Sequence, residues 1–375
     1  EAVPDELLED EYDAVVDALF GTGFTGSIAA DSPAGRLLTW ANTCGPMLSI
    51  DVPSGMDAAT GAVEGVCARA IWTVTFHRPK PGLYLTERRD CVGEITVAPI
   101  GLPRELDPQG GLLVNEEGDL HTLLPDRPAS AHKGDCGRTV IYAGSLGMAG
   151  AAMMAARAAL HAGAGLTTVI CPRAAMPVLQ QEVPNATCLA AEDQPTPKCD
   201  ALLMGCGIAE NDDTYADMMR LKATDACQVW DAGALNLLAG HPQQLGARAV
   251  ITPHAGEAAR LLGWEIPAVL SDKLGAAEAL RAKYGCNVVL KSAVTVMLTA
   301  DGQQCALNAV GSPALAKGGS GDALAGILAS LLGQGLPMFD AMRAACLWLG
   351  LAGIAAGKRC GVRAALTGDV IDSLG

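Results

Sequence analysis

Apolar residues at the start of the chain recur in short runs separated by glycine and polar residues. The runs at 13–19, 47–52, 71–76 and 94–98 predict strands, and the run at 33–42 predicts a helix. A stretch rich in proline, glycine and charge follows from about residue 99 to 119. We therefore expect two α/β domains, comprising residues 1–106 and 107–375.

From about residue 120 the pattern becomes more regular, with an apolar strand, a glycine-bearing loop and an alanine-rich helix in repeated order. The predicted strands lie at 139–143, 167–171, 201–204, 228–230, 249–251 and 287–290, and the clearest helices at 151–162 and 323–332. Nearly continuous apolar strands are typical of parallel sheets covered by helices on both faces. The expected fold class is therefore α/β with a mostly parallel sheet.

Composition narrows the function classes. Half of the 375 residues are hydrophobic and only 4% are aromatic, which suits layers packed closely through small residues. The most apolar region, about 323–356, is interrupted by Pro337, Asp340 and Arg343, so it predicts two core helices and not a membrane span. A net charge of −15 disfavours nucleic acid and anionic membranes as partners. Thirteen cysteines without a C-x-x-C pair predict reduced thiols and a cytoplasmic protein.

Polar and glycine residues recur just beyond the C-terminal ends of the predicted strands. Ligands of open α/β sheets bind in the crevice outside these ends. Each residue alone is compatible with an ordinary βα turn, but the convergence of five strand ends indicates a binding site. The residues are Gly144, Ser145, Gly205, Gly207, Asp231, His254 and Lys291.

The most specific segment is KGGSGD at 317–322, which leads directly into the helix ALAGILASLL. Its glycines allow close approach of a ligand, and the helix start offers unpaired N–H groups and a positive dipole end. This combination predicts an anion hole for phosphate. Asp322 at the same helix start is placed to take a proton from a substrate hydroxyl. The alternative is that Asp322 only caps the helix, but a cap requires no run of glycine and serine before it.

Four further features are weaker on their own. GSLGMAGAA at 144–152 is a second glycine-rich loop, and the charged HKGD at 132–135 is expected near the same edge of the sheet. His254 is either an ordinary loop histidine or a ligand contact. Lys291 is either a solvated lysine or a counter-charge for phosphate. The sequence contains no Walker loop, zinc motif or catalytic-triad elbow.

Several segments, in order, resemble the dehydratase domain of the NAD(P)H-hydrate repair family over residues 120–375. They are HKGDCGRTVIYAGSLGMAGAA, GAGLTTV, ITPHAGEAARLL, VVLKSAVTVM and NAVGSPALAKGGSGDALAGIL. The resemblance implies a ribokinase-like fold and the ADP-driven dehydration of the S form of hydrated NADH or NADPH. Departures from the family pattern are SPALA for NPGMA, DAGALN for DADALN, and Gly350 where histidine is frequent.

The same resemblance assigns roles to individual residues, with Asp322 as the catalytic base and Mg²⁺ bridging the nucleotide phosphates. The residues expected to contact the hydrated dinucleotide are Ala151, Gly207, His254 and Asp322. Those expected to hold ADP or ATP are Lys291, Ser292, Ala293, Val294, Thr295, Gly318, Gly319, Ser320 and Gly321.

The first hundred residues resemble the second half of the NAD(P)H-hydrate epimerase domain, through VVDALFGTGFTG, IDVPSGMDAATG and TVTFHRPKPGLY. This resemblance implies that Asp51 is the epimerisation acid/base and that Asp17 and Ser54 hold K⁺. We expect a partial epimerase domain, because the family's opening half with its Asn-rich loop does not precede these segments. The residues expected to contact hydrated dinucleotide are Gly21, Thr22, Gly23, Phe24, Thr25, Gly26, Ser27 and Asp51.

Two other functions use the same features. A ribokinase-like kinase of a sugar or hydroxymethylpyrimidine would need the same anion hole and aspartate, but HKGD and TPHAGE favour the dehydratase. A non-catalytic nucleotide-binding protein is disfavoured because Asp322 and its glycines are retained. The expected partners are small molecules and, as is common for such folds, further copies of the same chain.

Overall fold

A computed structural model describes residues 12–103, 105, 111–124 and 126–375. The described residues form two compact units, the first with residues 12–103, 105 and 270–272 and the second with residues 111–124, 126–269 and 273–375. Both units are α/β, as the hydrophobic pattern predicts. The expected boundary between residues 106 and 107 falls outside the described residues and stays a prediction.

The first unit is built on a parallel sheet of four strands in the order β1-β3-β5-β6. A separate parallel pair joins β2 to β4. The predicted strands are confirmed to within two residues at each end. The elements are β1 (Val15–Asp17), β2 (Ser27–Ile28), α1 (Pro33–Ala41), β3 (Met47–Ile50), β4 (Glu64–Gly65), β5 (Trp72–Phe76), α2 (Pro81–Leu85) and β6 (Glu94–Ala98), with a 3₁₀ turn at Arg89–Cys91.

Helix α1 shows how local sequence fixes an element of this unit. The Ser32 hydroxyl accepts a hydrogen bond from Gly35 N at 3.0 Å, and Pro33 occupies the first helical position. The helix then buries Leu38 in a small core with Met47 of β3.

The second unit contains ten strands and eleven helices within the described residues. Its strands are β7 (Leu112–Val114), β8 (Arg138–Tyr142), β9 (Leu166–Cys171), β10 (Thr187–Ala190), β11 (Ala201–Met204), β12 (Cys227–Trp230), β13 (Ala249–Ile251), β14 (Asn287–Leu290), β15 (Thr295–Leu298) and β16 (Cys305–Asn308). Its helices are α3 (Leu120–Leu123), α4 (Ala149–His161), α5 (Met176–Glu182), α6 (Asp212–Lys222), α7 (Gly233–Gly240), α8 (Ala255–Leu262), α9 (Ile266–Ser271), α10 (Lys273–Tyr284), α11 (Ser320–Gly333), α12 (Met338–Cys360) and α13 (Thr367–Ile371). Four 3₁₀ turns complete it, at Glu117–Asp119, Arg173–Ala175, Ala191–Asp193 and Pro313–Leu315.

These ten strands form one sheet in the order β10-β9-β8-β11-β12-β13-β14-β15-β16-β7. The seven strands from β10 to β14 are parallel. Strand β15 is antiparallel to both of its neighbours, β14 and β16, and β7 pairs parallel with β16. All residues of β11 and β14 are buried, so both faces of these strands are covered by other elements. The mostly parallel sheet is therefore confirmed.

Helices α4, α11 and α12 cover one face of this sheet. Their alanines and leucines, such as Ala155 and Ala329, join Leu203 and Val229 of the strands in one core. Helix α12 is long and apolar enough to cross a membrane, but 61% of its most apolar stretch is buried within the protein. Its Arg343 binds Asp119 at 2.8 Å. The prediction of two core helices in this region is confirmed.

Candidate active sites

The start of α11 lies at the C-terminal edge of the large sheet, beside Lys291 and Asp231. Gly319, the residue before the helix, has φ +94°, a conformation that costs glycine little. No side chain caps the helix, so the N–H groups of its first turn are left for a ligand. Asp322 lies inside the first turn, three residues after Gly319. The alternative that Asp322 is the helix cap is therefore wrong.

Ser320 adds an independent sign of a ligand at this helix start. Its hydroxyl oxygen is buried, and no hydrogen-bond partner lies within reach in the described part of the chain. Buried hydroxyls are normally paired, because an unpaired one loses its hydration without compensation. Ser320 also lines a cleft, so a bound phosphate oxygen would satisfy the hydroxyl.

A cluster of ionisable groups surrounds Asp322. One ligand-type atom each from Cys206, Asp231 and Asp322 lie within 4.8 Å of one another. Lys291 Nζ donates to Asp231 Oδ1 at 2.7 Å and lies 3.9 Å from Glu257 Oε2. Lys291 is thus paired with Asp231 and close to Glu257, and its charge also acts on Asp322.

The pKa values in this cluster follow from burial and from the surplus of negative charge. Burial, and then the negative charge of Asp231, raise the pKa of Asp322 to about 6. Burial would lower the pKa of Lys291, but the charges of Asp231 and Glu257 outweigh it and hold that pKa above its ordinary value. Asp322 is thus poised to exchange a proton near neutral pH, beside a permanently charged lysine.

A cleft of about 680 Å³ opens beside Lys291 and the start of α11. Its volume lies within the range of small-ligand sites. Of the predicted nucleotide residues, Lys291, Ser292, Ala293, Thr295, Ser320 and Gly321 line this cleft. The structure places the other three differently. Val294 is buried, Gly318 O accepts a hydrogen bond from Thr367 Oγ1, and Gly319 packs beside Thr367.

The residues expected to contact hydrated dinucleotide gather at neighbouring strand ends. Gly207 has φ +66°, and a Cβ there would lie 2.8 Å from that of Ala151. Ser145 Oγ donates to Gly207 O at 2.8 Å. Because Cys206 lies beside Asp322, this pair adjoins the ionisable cluster.

Both interpretations of His254, as an ordinary loop histidine and as a ligand contact, are compatible with its position. Its Nδ1 accepts hydrogen bonds from Gly256 N and Glu257 N, so the ring caps α8. The same ring is 59% exposed and lines the cleft. His254 is thus a loop histidine held in place with one face free for a ligand.

The expected position of HKGD is wrong. Residues 132–135 precede β8, so they lie at the opposite edge of the sheet from Asp322. There Gly134 and Asp135 line an open groove with Gln334, which follows the C-terminal end of α11. The expectation failed because charged residues that precede a strand fall at its N-terminal end.

In the first unit, Asp17 and Ser54 lie in direct contact at the C-terminal edge of the small sheet. Asp17 is buried, and its carboxylate accepts hydrogen bonds from Ser54 Oγ at 2.6 Å, Ser54 N at 2.8 Å and Ser49 Oγ at 2.8 Å. Ser54 Oγ also lies 3.3 Å from Phe20 O. These are oxygen donors of the kind that hard cations bind.

Asp51 occupies a strained position at the end of β3, with φ +69°. Its Oδ1 accepts hydrogen bonds from Lys80 Nζ, from Thr75 Oγ1 at 3.0 Å and from Phe76 N at 3.1 Å. Burial would raise the pKa of Asp51, but these bonds outweigh it and hold the pKa below its ordinary value. The carboxylate is therefore ionised at neutral pH.

The predicted dinucleotide loop of the first unit runs from the end of β1 into β2. It turns through a hydrogen bond from Phe24 N to Gly21 O at 3.0 Å. A Cβ on Gly21, Gly23 or Gly26 would meet no atom within 4 Å, so these glycines border open space. Thr22 and Thr25 are exposed, and Ser27 begins β2.

Sequence reasoning missed four residues of these sites. Lys80 belongs to the segment TVTFHRPKPGLY, and Glu257 belongs to TPHAGE, so both were within reach of the motifs. The other two are Cys206 and Thr252, whose Oγ1 donates a hydrogen bond to Asp231 Oδ1 at 2.8 Å. Neither carries a sequence signal of its own. They join the site only because neighbouring parallel strands end at one edge.

Comparison with known proteins agrees with this geometry. Residues 139–374 match the family described as NAD(P)H-hydrate dehydratase, and residues 1–82 match the family described as YjeF-related protein N-terminus. The chain is 36% identical to the bifunctional NAD(P)H-hydrate repair enzyme Nnr of Moorella thermoacetica, over 96% of this chain and 72% of that protein. It is 37% identical to the Escherichia coli enzyme of the same name, over 97% of this chain and 71% of that protein.

Solved structures resemble the second unit. One is the ADP/ATP-dependent NAD(P)H-hydrate dehydratase of Bacillus subtilis, co-crystallised with ATP and Mg²⁺. It has a TM-score of 0.64 and 26% identity, and the match covers 70% of this chain and 96% of that one. A ribokinase-like superfamily protein of Enterococcus faecalis has the same TM-score and identity, and the match covers 94% of that chain.

Proposed function

The chain belongs to the bifunctional NAD(P)H-hydrate repair family, and from this premise we propose how its residues carry out the repair and which nucleotide they use. The second unit is an NAD(P)H-hydrate dehydratase, with the ribokinase-like fold of its structural relatives. We assign the chemistry to the start of α11. The supporting observation is that Asp322, with a pKa of about 6, lies beside the uncapped helix start and the Lys291 ammonium.

The reaction has to turn a hydroxide, which leaves poorly, into a group that leaves easily. Asp322 takes the proton of the substrate hydroxyl while the hydroxyl oxygen forms a bond to the terminal phosphorus of the nucleotide. The bond from that phosphorus to the bridging oxygen breaks, and the shortened nucleotide leaves with the electron pair. The N–H groups of the first turn of α11 and Lys291 stabilise the charge on the phosphoryl oxygens. Phosphate then departs with the C–O electron pair, while the ring nitrogen of the hydrated nicotinamide releases its lone pair. Loss of the neighbouring ring proton restores the double bond.

The adenosine nucleotide fits the cleft beside Lys291, and when bound it supplies the phosphoryl group. The buried Ser320 hydroxyl would bind a phosphate oxygen, and Ser292, Thr295 and Gly321 line the space around it. We propose ADP as the nucleotide, giving AMP and phosphate. Mg²⁺ would accompany the phosphates, and the Asp231 and Asp322 carboxylates offer the oxygen donors that it prefers.

Hydrated dinucleotide would lie against Ala151 and Gly207 and against the exposed face of His254, which also lines the nucleotide cleft. These three residues come from separate parts of the sequence, and Ala151 and Gly207 are adjacent in the fold. A hydroxyl placed here is within reach of Asp322 and of a phosphoryl group held at the start of α11. We propose this arrangement as the substrate complex.

For the first unit we propose epimerase chemistry at Asp51, with hydrated dinucleotide held by the loop from Gly21 to Ser27. Potassium would bind the Asp17 carboxylate, the Ser54 hydroxyl and Phe20 O, which already lie together. Lys80 would keep Asp51 ionised and ready to accept a proton. The expectation of a partial epimerase domain stays a prediction.

The test is to incubate the purified chain with hydrated NADH and Mg²⁺ together with ADP or ATP. Absorbance at 340 nm should recover with ADP, and Asp322→Asn should lose this activity while still binding nucleotide. Phosphorylation of free sugars or hydroxymethylpyrimidine without recovery at 340 nm would favour a kinase instead. Nucleotide binding without any turnover would favour a non-catalytic protein.

A further inference from the structure

Two glycines of the KGGSGD segment contact helix α13 and do not line the nucleotide cleft. Gly318 O accepts a hydrogen bond from Thr367 Oγ1 at 2.9 Å. A Cβ on Gly319 would lie 3.3 Å from the same oxygen and 3.4 Å from Thr367 Cγ2. Thr367 thus holds the loop that leads into α11, yet neither the sequence motifs nor the proposed mechanism assigns it a role.

The loop before α11 has little of its own to keep it in one conformation. Gly318 and Gly319 are successive glycines, and glycine has more backbone freedom than any other residue. A Cβ on Gly318 would meet no atom within 4 Å, so packing does not restrain this position. Ser320 N reaches Lys317 O only at 3.4 Å, which is long for a hydrogen bond. Contacts with other parts of the chain are therefore needed to fix the loop.

Thr367 can supply such a contact because its own position is fixed. It is only 5% exposed and begins α13. Val370 and Ile371 of the same helix are fully buried in the core of the second unit. Directly after the helix, the Asp372 carboxylate accepts a hydrogen bond from Arg157 of α4 at 2.7 Å. The Thr367 hydroxyl therefore approaches the loop from a rigid support.

A second hydrogen bond ties the loop to the same segment. Lys317 Nζ donates to Arg363 O at 2.7 Å, four residues before Thr367. Lys317 also lines the cleft, so a change of this lysine would alter the charge around a bound phosphate as well. Thr367 is uncharged and is not among the described residues that line the cleft. A change of Thr367 therefore tests the position of the loop separately from its charge.

We propose that Thr367 is a positioning residue of the dehydratase, whose hydroxyl holds the Gly318 carbonyl so that the first-turn N–H groups of α11 are directed at the nucleotide phosphates. The hydroxyl acts only through the loop and not on the reacting atoms. This inference rests on the proposed function, because it takes the start of α11 as the phosphate site.

The test compares three variants of Thr367 with a matched control. Thr367→Val keeps the packing beside Gly319 and removes the hydroxyl, whereas Thr367→Ala removes the methyl group as well. Thr367→Ser keeps the hydroxyl and removes only the methyl group. The control is Ser373→Ala, because the Ser373 hydroxyl donates to Asp369 O at 2.8 Å, within the C-terminal segment itself.

Three measurements are made on each variant. Without ligand, hydrogen exchange of the amides at 318–321, followed by mass spectrometry, should become faster in Thr367→Val and Thr367→Ala. ADP binding, measured by calorimetry, should weaken roughly fivefold in both, because a loop that has to be ordered on binding costs affinity. The kcat at saturating ADP should also fall, since the same N–H groups stabilise the phosphoryl charge in the transition state. Thr367→Ser and Ser373→Ala should stay close to wild type in all three.

The proposal is overturned if a folded variant without the Thr367 hydroxyl keeps either the wild-type exchange or the wild-type ADP affinity. It is also overturned if Thr367→Ser loses as much as Thr367→Val, or if Ser373→Ala has an equal effect, since general loosening of the C-terminal segment would then be the cause. Wild-type protein that binds no ADP, or that does not dehydrate hydrated NADH, would instead refute the proposed function. Hydrogen exchange would still show in that case whether Thr367 orders the loop.

Discussion

Replacement of the base Asp322 by asparagine should stabilise the protein, and the gain should depend on pH. The pKa of Asp322 is raised from its ordinary 3.8 to about 6. A raised pKa in the folded state contributes stability that is fully present below pH 3.8 and is lost as the pH rises through 6. The whole effect corresponds to roughly 3 kcal/mol. Asparagine is neutral at every pH, so the free energy of unfolding of Asp322→Asn does not fall in this way as the pH rises.

The magnitude is best measured as a difference between two pH values, since the structural cost of asparagine itself then cancels. Between pH 5 and 8, the advantage of Asp322→Asn over wild type should grow by about 1.4 kcal/mol. Urea unfolding without ligand, followed by tryptophan fluorescence to which the fully buried Trp230 contributes, measures this difference. A stability difference between variant and wild type that stays constant between these pH values would refute the reasoning that burial and Asp231 destabilise the ionised form of Asp322.

Three further predictions concern single side chains. In Gly321→Ala the new Cβ would lie 3.2 Å from Lys291 Nζ. We expect this methyl group to occupy the place of the bound phosphate and to weaken ADP binding, measured by calorimetry, roughly tenfold. Unchanged binding would show that the phosphate binds elsewhere. In Lys80→Met, Asp51 should titrate at higher pH than in wild type when followed by NMR, because Lys80 is the strongest of the groups that lower its pKa. A lowered pKa stabilises the folded state only above pH 3.8. The variant should therefore lose stability at pH 7 and little at pH 3. In His254→Ala, loss of the cap of α8 should cost about 1 kcal/mol in urea unfolding, which His254→Asn should restore if capping is the cause.

Much of the second unit could be predicted because parallel strands buried on both faces leave long apolar runs. Such runs located β8, β9, β11, β12, β13 and β14 to within one residue. The antiparallel end of the sheet was missed. Strand β16 (Cys305–Asn308) ends in a polar residue, and β7 (Leu112–Val114) has only three residues and pairs with β16, a distant segment of the chain.

The site was predictable where a motif lies on a single strand end or helix start. Asp322, Lys291 and His254 were found in this way, and the structure brings them to one edge of the sheet. The environment of Asp322 was not predictable. The distances among Cys206, Asp231 and Asp322, and the raised pKa that results, depend on the spacing of three strands and on how deeply they are buried.

The error over HKGD has a related cause. The expectation rested on the short sequence distance from HKGD to the loop at 144–152, which does not show at which end of β8 the segment lies. The direction of β8 places HKGD at the edge away from Asp322, beside the C-terminal end of α11. Strand direction relative to the sheet edge would have corrected the expectation.

The central claim is that Asp322 and the start of α11 transfer a phosphoryl group to the substrate hydroxyl before that oxygen leaves. The direct measurement uses NADH hydrated in H₂¹⁸O, so that the hydroxyl carries ¹⁸O, with unlabelled ADP and Mg²⁺ in ordinary water. The account predicts that the inorganic phosphate gains one ¹⁸O per turnover, seen by mass spectrometry or ³¹P NMR. Unlabelled phosphate, with the ¹⁸O released as water, would contradict it.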